Sequence, residues 1–264
     1  MDFQIHSRTA LVSGSTAGIG FAIATELARE GAKVVINGRS QQSVDAALAR
    51  LRSRVAGAEV QGVAADLSTA EGCQTLFAAC PEVDILVNNL GIFDPVPFEQ
   101  IPDSDWQRFF DVNVMSGVRL SRHYLPAMKA ANWGRIVFIS SESGINTPGE
   151  MVHYGTTKSA QLAVSRGLAQ SCAGTGVTVN AVLPGPTRSE GVGGFFAKLA
   201  AESGISLEEM EHRFFAEGRP TSIIKRMIDP SEVAALVAYV CSARAAATTG
   251  AALRVEGGIV STIC

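Results

Sequence analysis

Short apolar stretches rich in Val, Ile and Leu recur along the chain, separated by longer segments whose apolar positions return every three or four residues. The short stretches, at residues 9–13, 33–36, 60–65, 85–87, 136–140, 177–183 and 252–255, mostly lack polar alternation. Strands of that kind are covered on both faces, as in a parallel sheet. The longer segments, at 19–30, 43–55, 70–79, 103–129, 154–173 and 230–242, have the length and period of amphipathic helices. Alternation of the two predicts an α/β fold built on a doubly wound parallel sheet of about seven strands. No repeat or low-complexity linker divides the chain, so residues 1–264 are expected to form a single domain.

One segment breaks the rhythm. Residues 184–219, between the sixth and seventh strands, contain Gly191, Gly193 and Gly194 and the aromatic pairs Phe195-Phe196 and Phe214-Phe215. An apolar insertion of this length is a lid over a site, or a surface subdomain with a small core of its own. As a lid, Gly191 to Phe215 would move on its glycines and close Phe195 and Phe196 over an apolar substrate.

Composition narrows the function. With 47% hydrophobic and 18% charged residues the chain is not a disordered one. A net charge of -3 gives no drive towards nucleic acid or an anionic membrane. No apolar run reaches the roughly 20 residues of a membrane span. Five cysteines (Cys73, Cys80, Cys172, Cys241, Cys264) form no C-x-x-C pair. In the absence of a secretory leader they are expected to be reduced thiols in the cytoplasm. His6, His123, His153 and His212 show no ligand spacing, so no metal site is expected.

The candidate chemistry lies at strand ends. Gly14-Ser15-Thr16-Ala17-Gly18-Ile19-Gly20 follows the first strand and opens the first helix. Such a turn lets backbone N–H groups approach a pyrophosphate, whose charge the helix N-terminus favours. The second strand ends at Asn37-Gly38-Arg39, with no acidic residue to accept from a ribose 2′-hydroxyl and with an arginine suited to a 2′-phosphate. That favours NADP(H) over NAD(H). Further on, Tyr154 and Lys158 stand four apart on a helix and share a face. A free tyrosine titrates at about 10, and a neighbouring cation lowers that value towards what a general acid/base needs.

In this order the motifs resemble the short-chain dehydrogenase/reductase family, from Leu11 to Gly258. The residues that carry the resemblance are Gly14-x-x-x-Gly18-x-Gly20, Asp66, Asn88-Asn89-Leu90-Gly91, Asn113, Ser141, Tyr154 with Lys158, Pro184-Gly185 and Val255-Glu256-Gly257-Gly258. The resemblance implies a Rossmann-type fold and a ketone/alcohol oxidoreductase. Tyr154 would then be the general acid/base, Ser141 would hydrogen-bond the reacting oxygen, and Lys158 would lower the tyrosine pKa and hold the nicotinamide ribose. Asn113 would keep a water that links Lys158 to solvent. Of the cofactor, Gly14, Ser15, Thr16, Gly18, Ile19 and Gly20 would hold the pyrophosphate and Arg39 the 2′-phosphate. Asp66 and Leu67 would meet the adenine, Asn88 and Gly91 the ribose, Pro184, Gly185 and Thr187 the nicotinamide end, and Ser189 could reach the pyrophosphate. Leu90 replaces the family's usual alanine and would narrow the site, while His153 would shape the pocket.

The leading substrate class is a small or medium ketone. The alternative is a 3-oxoacyl-[acyl-carrier-protein] reductase, and a non-catalytic cofactor sensor is the third reading. At two places where a carrier reductase is basic this chain has Asn132 and Thr175, with Lys129, Arg135 and Arg188 nearby in sequence. The family resemblance and the apolar helix at 103–129 also imply a homo-oligomer, a tetramer, as does the apolar C-terminus.

Overall fold

The computed structural model describes residues 2–263; Cys264 and the side chain of Phe195, both read above, lie outside the described residues. In chain order the elements are β1 (Thr9–Val12), α1 (Gly18–Arg29), β2 (Lys33–Gly38), α2 (Gln41–Arg54), β3 (Val60–Ala64), α3 (Ala70–Ala79) and β4 (Ile85–Asn88). Next come α4 (Asp103–Phe109), α5 (Ser116–Ala130), β5 (Gly134–Ile139), α6 (Val152–Ser171) and β6 (Val177–Pro184). The chain finishes with α7 (Glu190–Ser203), α8 (Leu207–Arg213), α9 (Pro230–Cys241) and β7 (Ala252–Val255).

The strands pair in parallel in the order β3-β2-β1-β4-β5-β6-β7. Neighbouring residues of a strand serve opposite cores. Val34 and Ile36 face one cluster and Val35 the other, and Ile85 and Val87 stand against Leu86 in the same way. Both faces are buried, which is why polar residues do not alternate in the strands. Helices α1, α2 and α9 cover one face through Leu27, Leu51 and Val237, and α3, α5 and α6 cover the other through Leu76, Tyr124 and Ala169. Each fully buried Leu or Val contributes about 1.5–3 kcal/mol relative to exposure.

Helix starts follow local chemistry. Ser40 and Thr69 cap α2 and α3 through their hydroxyls, and Asp229 with Glu232 forms a capping box around Pro230 at the start of α9. The long helix expected at 103–129 is interrupted. A π-helical turn, Phe110–Met115, joins α4 to α5 and carries Asn113. Sequence periodicity does not reveal it, because one extra residue in a turn leaves the apolar spacing on either side almost unchanged.

The segment read as a lid or as a small subdomain is helical. Its helices α7 and α8 and a π turn, Phe214–Gly218, gather Phe196, Phe215 and Met227 into a small apolar cluster. Gly191, Gly193 and Gly194 lie in the first turns of α7 rather than in a loop hinge. Ser189 starts that helix by accepting from the Val192 N–H, so the cap offsets part of the helical cost of the glycines.

Candidate active site

Where the strand order changes direction between β1 and β4, a crevice opens at the carboxyl ends of the strands, the usual ligand position in such sheets. It forms a cavity of about 570 Å³. On its walls the structure brings together Gly18, Ile19 and Gly20, then Gly91, Ser141, Tyr154 and Lys158, and Pro184, Gly185, Thr187 and Ser189.

Ser141 leaves β5 in extended backbone and caps a short 3₁₀ turn, its Oγ accepting from the Ser143 N–H at 3.1 Å. Two hydroxyls stitch that turn to α6: Ser140 Oγ donates to the Lys158 carbonyl at 2.8 Å, and Ser159 Oγ to the Gly144 carbonyl at 2.7 Å. Ser141 thereby comes close enough to the Tyr154 hydroxyl to favour its ionised form. Burial pushes the phenol up to about 12, opposed by Ser141 and reinforced by the nearby Glu142 carboxylate.

Lys158 is not the counterweight expected from the sequence. Its Nζ lies 5.5 Å from the Tyr154 ring centroid and donates instead to the Ile139 carbonyl at 2.9 Å and to Gln161 Oε1 at 3.2 Å. Burial pulls this amine down to about 7. A phenol held protonated suits donation of a proton to a substrate oxygen better than abstraction of one.

Asn113 is buried behind these groups. Its amide pairs with the Ile92 backbone in both directions, at 2.8 and 3.0 Å, and donates to Thr157 Oγ1 at 2.9 Å. Its carbonyl, in the π turn, accepts from Gln161 Nε2 at 2.5 Å. The side chain fixes the loop after β4, and the Asn113 carbonyl is bonded to Gln161.

The glycine-rich turn fits an anion. Gly14 adopts a φ of +60°, in the region where glycine is preferred. Helix α1 has no side-chain cap and no acidic residue in its first turn, and the Gly18 N–H donates to Glu190 Oε2 from α7 at 2.7 Å. These donors hold a carboxylate where the helix N-terminus favours negative charge, so the turn suits the pyrophosphate of a dinucleotide.

Other expected contacts fall elsewhere. Asn37 is buried rather than facing a ribose: its Oδ1 accepts from the Gly14 N–H at 3.1 Å, and its Nδ2 donates to the Val63 and Ala65 carbonyls. At Gly38 an added Cβ would lie 2.5 Å from Thr16 Cγ2, which leaves Arg39 as the exposed residue at the end of β2. Gly14, Ser15, Thr16, Arg39, Asp66 and Leu67 do not line this cavity. The Ser15 hydroxyl is used by the Val12 carbonyl and the Asn37 N–H, Leu67 is buried in the core, and exposed Asp66 accepts from Ser68. Asn88 turns its amide to Ser121 on α5, and its neighbour Asn89 lines the cavity instead while donating to the Ser13 and Gly14 carbonyls. Leu90 packs against the core and does not narrow the cavity. His153 does not shape the pocket either; its ring centroid lies 4.0 Å from that of Phe109, the rings tilted by 44°, and it does not line the cavity. Ser189 lies against Gly18, with its hydroxyl spent as the cap of α7.

Sequence reasoning missed four residues. Gln161 was detectable, since it continues the Tyr154–Lys158 face by one turn. Glu142, beside Ser141, is 3% exposed on the cavity wall and pairs with Arg219, which also reaches Glu150 at 3.5 Å. Arg219 and Glu190 come from the segment between β6 and β7, and no local pattern ties them to the site.

Among the described residues no helix is long and apolar enough to cross a membrane, and no cluster of His, Cys, Asp and Glu has the arrangement of a metal site. A family model described as short chain dehydrogenase matches residues 8–200. The uncharacterized oxidoreductase YvaG of Bacillus subtilis (strain 168) is 50% identical over 263 residues, covering 100% of each chain. L-sorbose reductase from Gluconobacter frateurii, complexed with NADPH and L-sorbose, superposes with a TM-score of 0.93 at 30% identity over 100% of both chains. An actinorhodin polyketide ketoreductase with NADPH gives a TM-score of 0.89 at 32% identity, over 97% of this chain and 98% of that one. Sequence and shape agree along nearly the whole length, and the chain belongs to the short-chain dehydrogenase family of oxidoreductases.

Proposed function

We propose that the protein is an NADP(H)-dependent oxidoreductase that interconverts a ketone and a secondary alcohol, with Tyr154 as general acid/base. The observation that carries this reading is that Tyr154 and Ser141 share the wall of the cavity that the glycine-rich turn also lines. A nicotinamide dinucleotide, when bound, supplies or accepts the hydride. Tyr154 donates its proton to the carbonyl oxygen in reduction, and Ser141 stabilises the charge that develops there. Lys158, on the cavity wall, would hold the ribose of the bound dinucleotide, and Asn113 fixes the loop that carries Gly91.

Exposed Arg39, with no room for an acid at Gly38, supports NADP(H), as does NADPH in the sorbose reductase and ketoreductase structures. Ile92, Phe93, Met151, Leu199 and Phe214 give the cavity apolar walls that suit a small or medium ketone, and residues 184–219 act as its lid. The carrier-protein alternative loses support. Arg135 is 2% exposed within β5, Lys129 donates to the Ser171 carbonyl, and Arg188 is paired with Glu211 at 2.8 Å. Exposed Ile223, Ile224, Tyr239 and Ile263 are apolar surface that a cytoplasmic homotetramer would cover. Turnover of a carbonyl and alcohol panel with NADPH and with NADH tests the reading. It fails if no carbonyl is reduced, and its cofactor assignment fails if NADH is preferred.

A further inference from the structure

Tyr154, Lys158 and Gln161 stand at i, i+4 and i+7 of α6 and so share one face. Gln161 is 1% exposed, and its amide is used at both ends, by Lys158 Nζ at 3.2 Å and by the Asn113 carbonyl at 2.5 Å. An ammonium carries three donors. The Ile139 carbonyl and Gln161 Oε1 take two of them, which leaves one N–H for the cavity. Asn113 can receive the amide because its carbonyl lies in the π turn, where the regular helical ladder is displaced. A water between Asn113 and Lys158 would be free to rotate and exchange. A carboxamide held at both ends is not.

We propose that Gln161 is a positioning residue of this centre: its side-chain amide clamps Lys158 Nζ to the Asn113 carbonyl and aims the remaining N–H at the tyrosine and the cofactor ribose. The clamp rests on the assignment of Tyr154 and Lys158 made above. It also explains why Lys158 stays on the cavity wall although its amine is buried and no carboxylate pairs with it. The titratable groups nearest the centre are Tyr154 on the same helix, a neutral phenol, and Glu142 after β5, the latter paired with Arg219 from the segment after β6. The loop after β4, the π turn and β5 offer Lys158 neutral groups: Gly91, Asn113 and Ile139.

The test uses Gln161→Glu and Gln161→Leu, with Tyr154→Phe as the control. The Lys158 titration is read from its 13Cε shift in the cofactor-free protein, assigned with Lys158→Met. Gln161→Glu is nearly isosteric and still accepts from Lys158, but it adds opposite charge, so it should raise the Lys158 inflection by about one unit or more. The pH profile of kcat with NADPH and the best ketone of the panel should move with it. Gln161→Leu should lower the inflection and reduce kcat about tenfold to a hundredfold, the cost of a misplaced group, while the ketone KM stays within about twofold. Variants that melt at the wild-type temperature and titrate unchanged would overturn the clamp. So would variants that melt early with the inflection unmoved, since that marks a core residue alone. The two readings fail separately. An inactive Tyr154→Phe with unmoved Lys158 titration in both Gln161 variants removes only the clamp, whereas an active Tyr154→Phe removes the catalytic assignment and leaves the titration to decide the clamp.

Discussion

Glu190 brings a carboxylate oxygen to 2.7 Å from the Gly18 N–H, so the first turn of α7 rests on the turn that opens α1. The same carboxylate lies 3.6 Å from Arg50, on a part-exposed surface. A carboxylate from α7 thus occupies the Gly18 donor, and on the proposed reading a bound pyrophosphate would compete with it.

Glu190→Gln keeps the side-chain volume and removes the charge. Negative charge at an exposed helix N-terminus contributes about 0.3–1 kcal/mol, so NADPH should bind up to about fivefold more tightly to the variant. Fluorescence titration of the cofactor measures this. Weaker binding would mean that Glu190 supports the bound state rather than competes with it.

Lys158 offers a second test that needs no substrate. In the unfolded chain it stays charged up to the ordinary value of 10.5, but in the fold only up to about 7. Between those values the unfolded chain binds the extra proton, so this group makes stability rise with pH, and its buried charge costs most below the lower value. Relative to Lys158→Met, wild type should therefore gain unfolding free energy from pH ~7 to ~9.5, by at most ~1.4 kcal/mol per unit. Chemical denaturation across that range measures the difference. A flat or falling difference contradicts a desolvated Lys158.

Much of this was legible in the chain. The strands were readable because both faces of the sheet are buried, so Val34-Val35-Ile36 and its equivalents remain apolar throughout. Ser141, Tyr154 and Lys158 were readable because strand end and helix fix their separation. Distances set by tertiary packing were not. The phenol–ammonium pair follows from spacing on α6, yet Ile139 and Gln161 decide where Nζ points. At Asn37 the strand-end pattern shows only that no acid is present, not that its amide bridges the ends of β1 and β3. Helix α7 was hidden by Gly191, Gly193 and Gly194, poor helix formers that a serine cap and a local apolar cluster carry into it.

Those glycines can be tested directly. Gly191 and Gly194 are exposed, and a Cβ added to either meets nothing within 4 Å. Alanine at each should stabilise α7 by about 1 kcal/mol and slow amide exchange in that helix about fivefold per substitution. If opening of α7 admits the cofactor, NADPH association should slow in parallel. Exchange that is unchanged or faster would show that the glycines do not limit the stability of the lid.

Turnover of Tyr154→Phe with NADPH and the best ketone of the panel tests the central claim most directly. The ring remains and only the proton donor is lost, so NADPH affinity should stay within about twofold while kcat falls by at least ~10²-fold, the usual contribution of a general acid. Near wild-type turnover in a variant that binds NADPH normally would contradict the assignment of Tyr154.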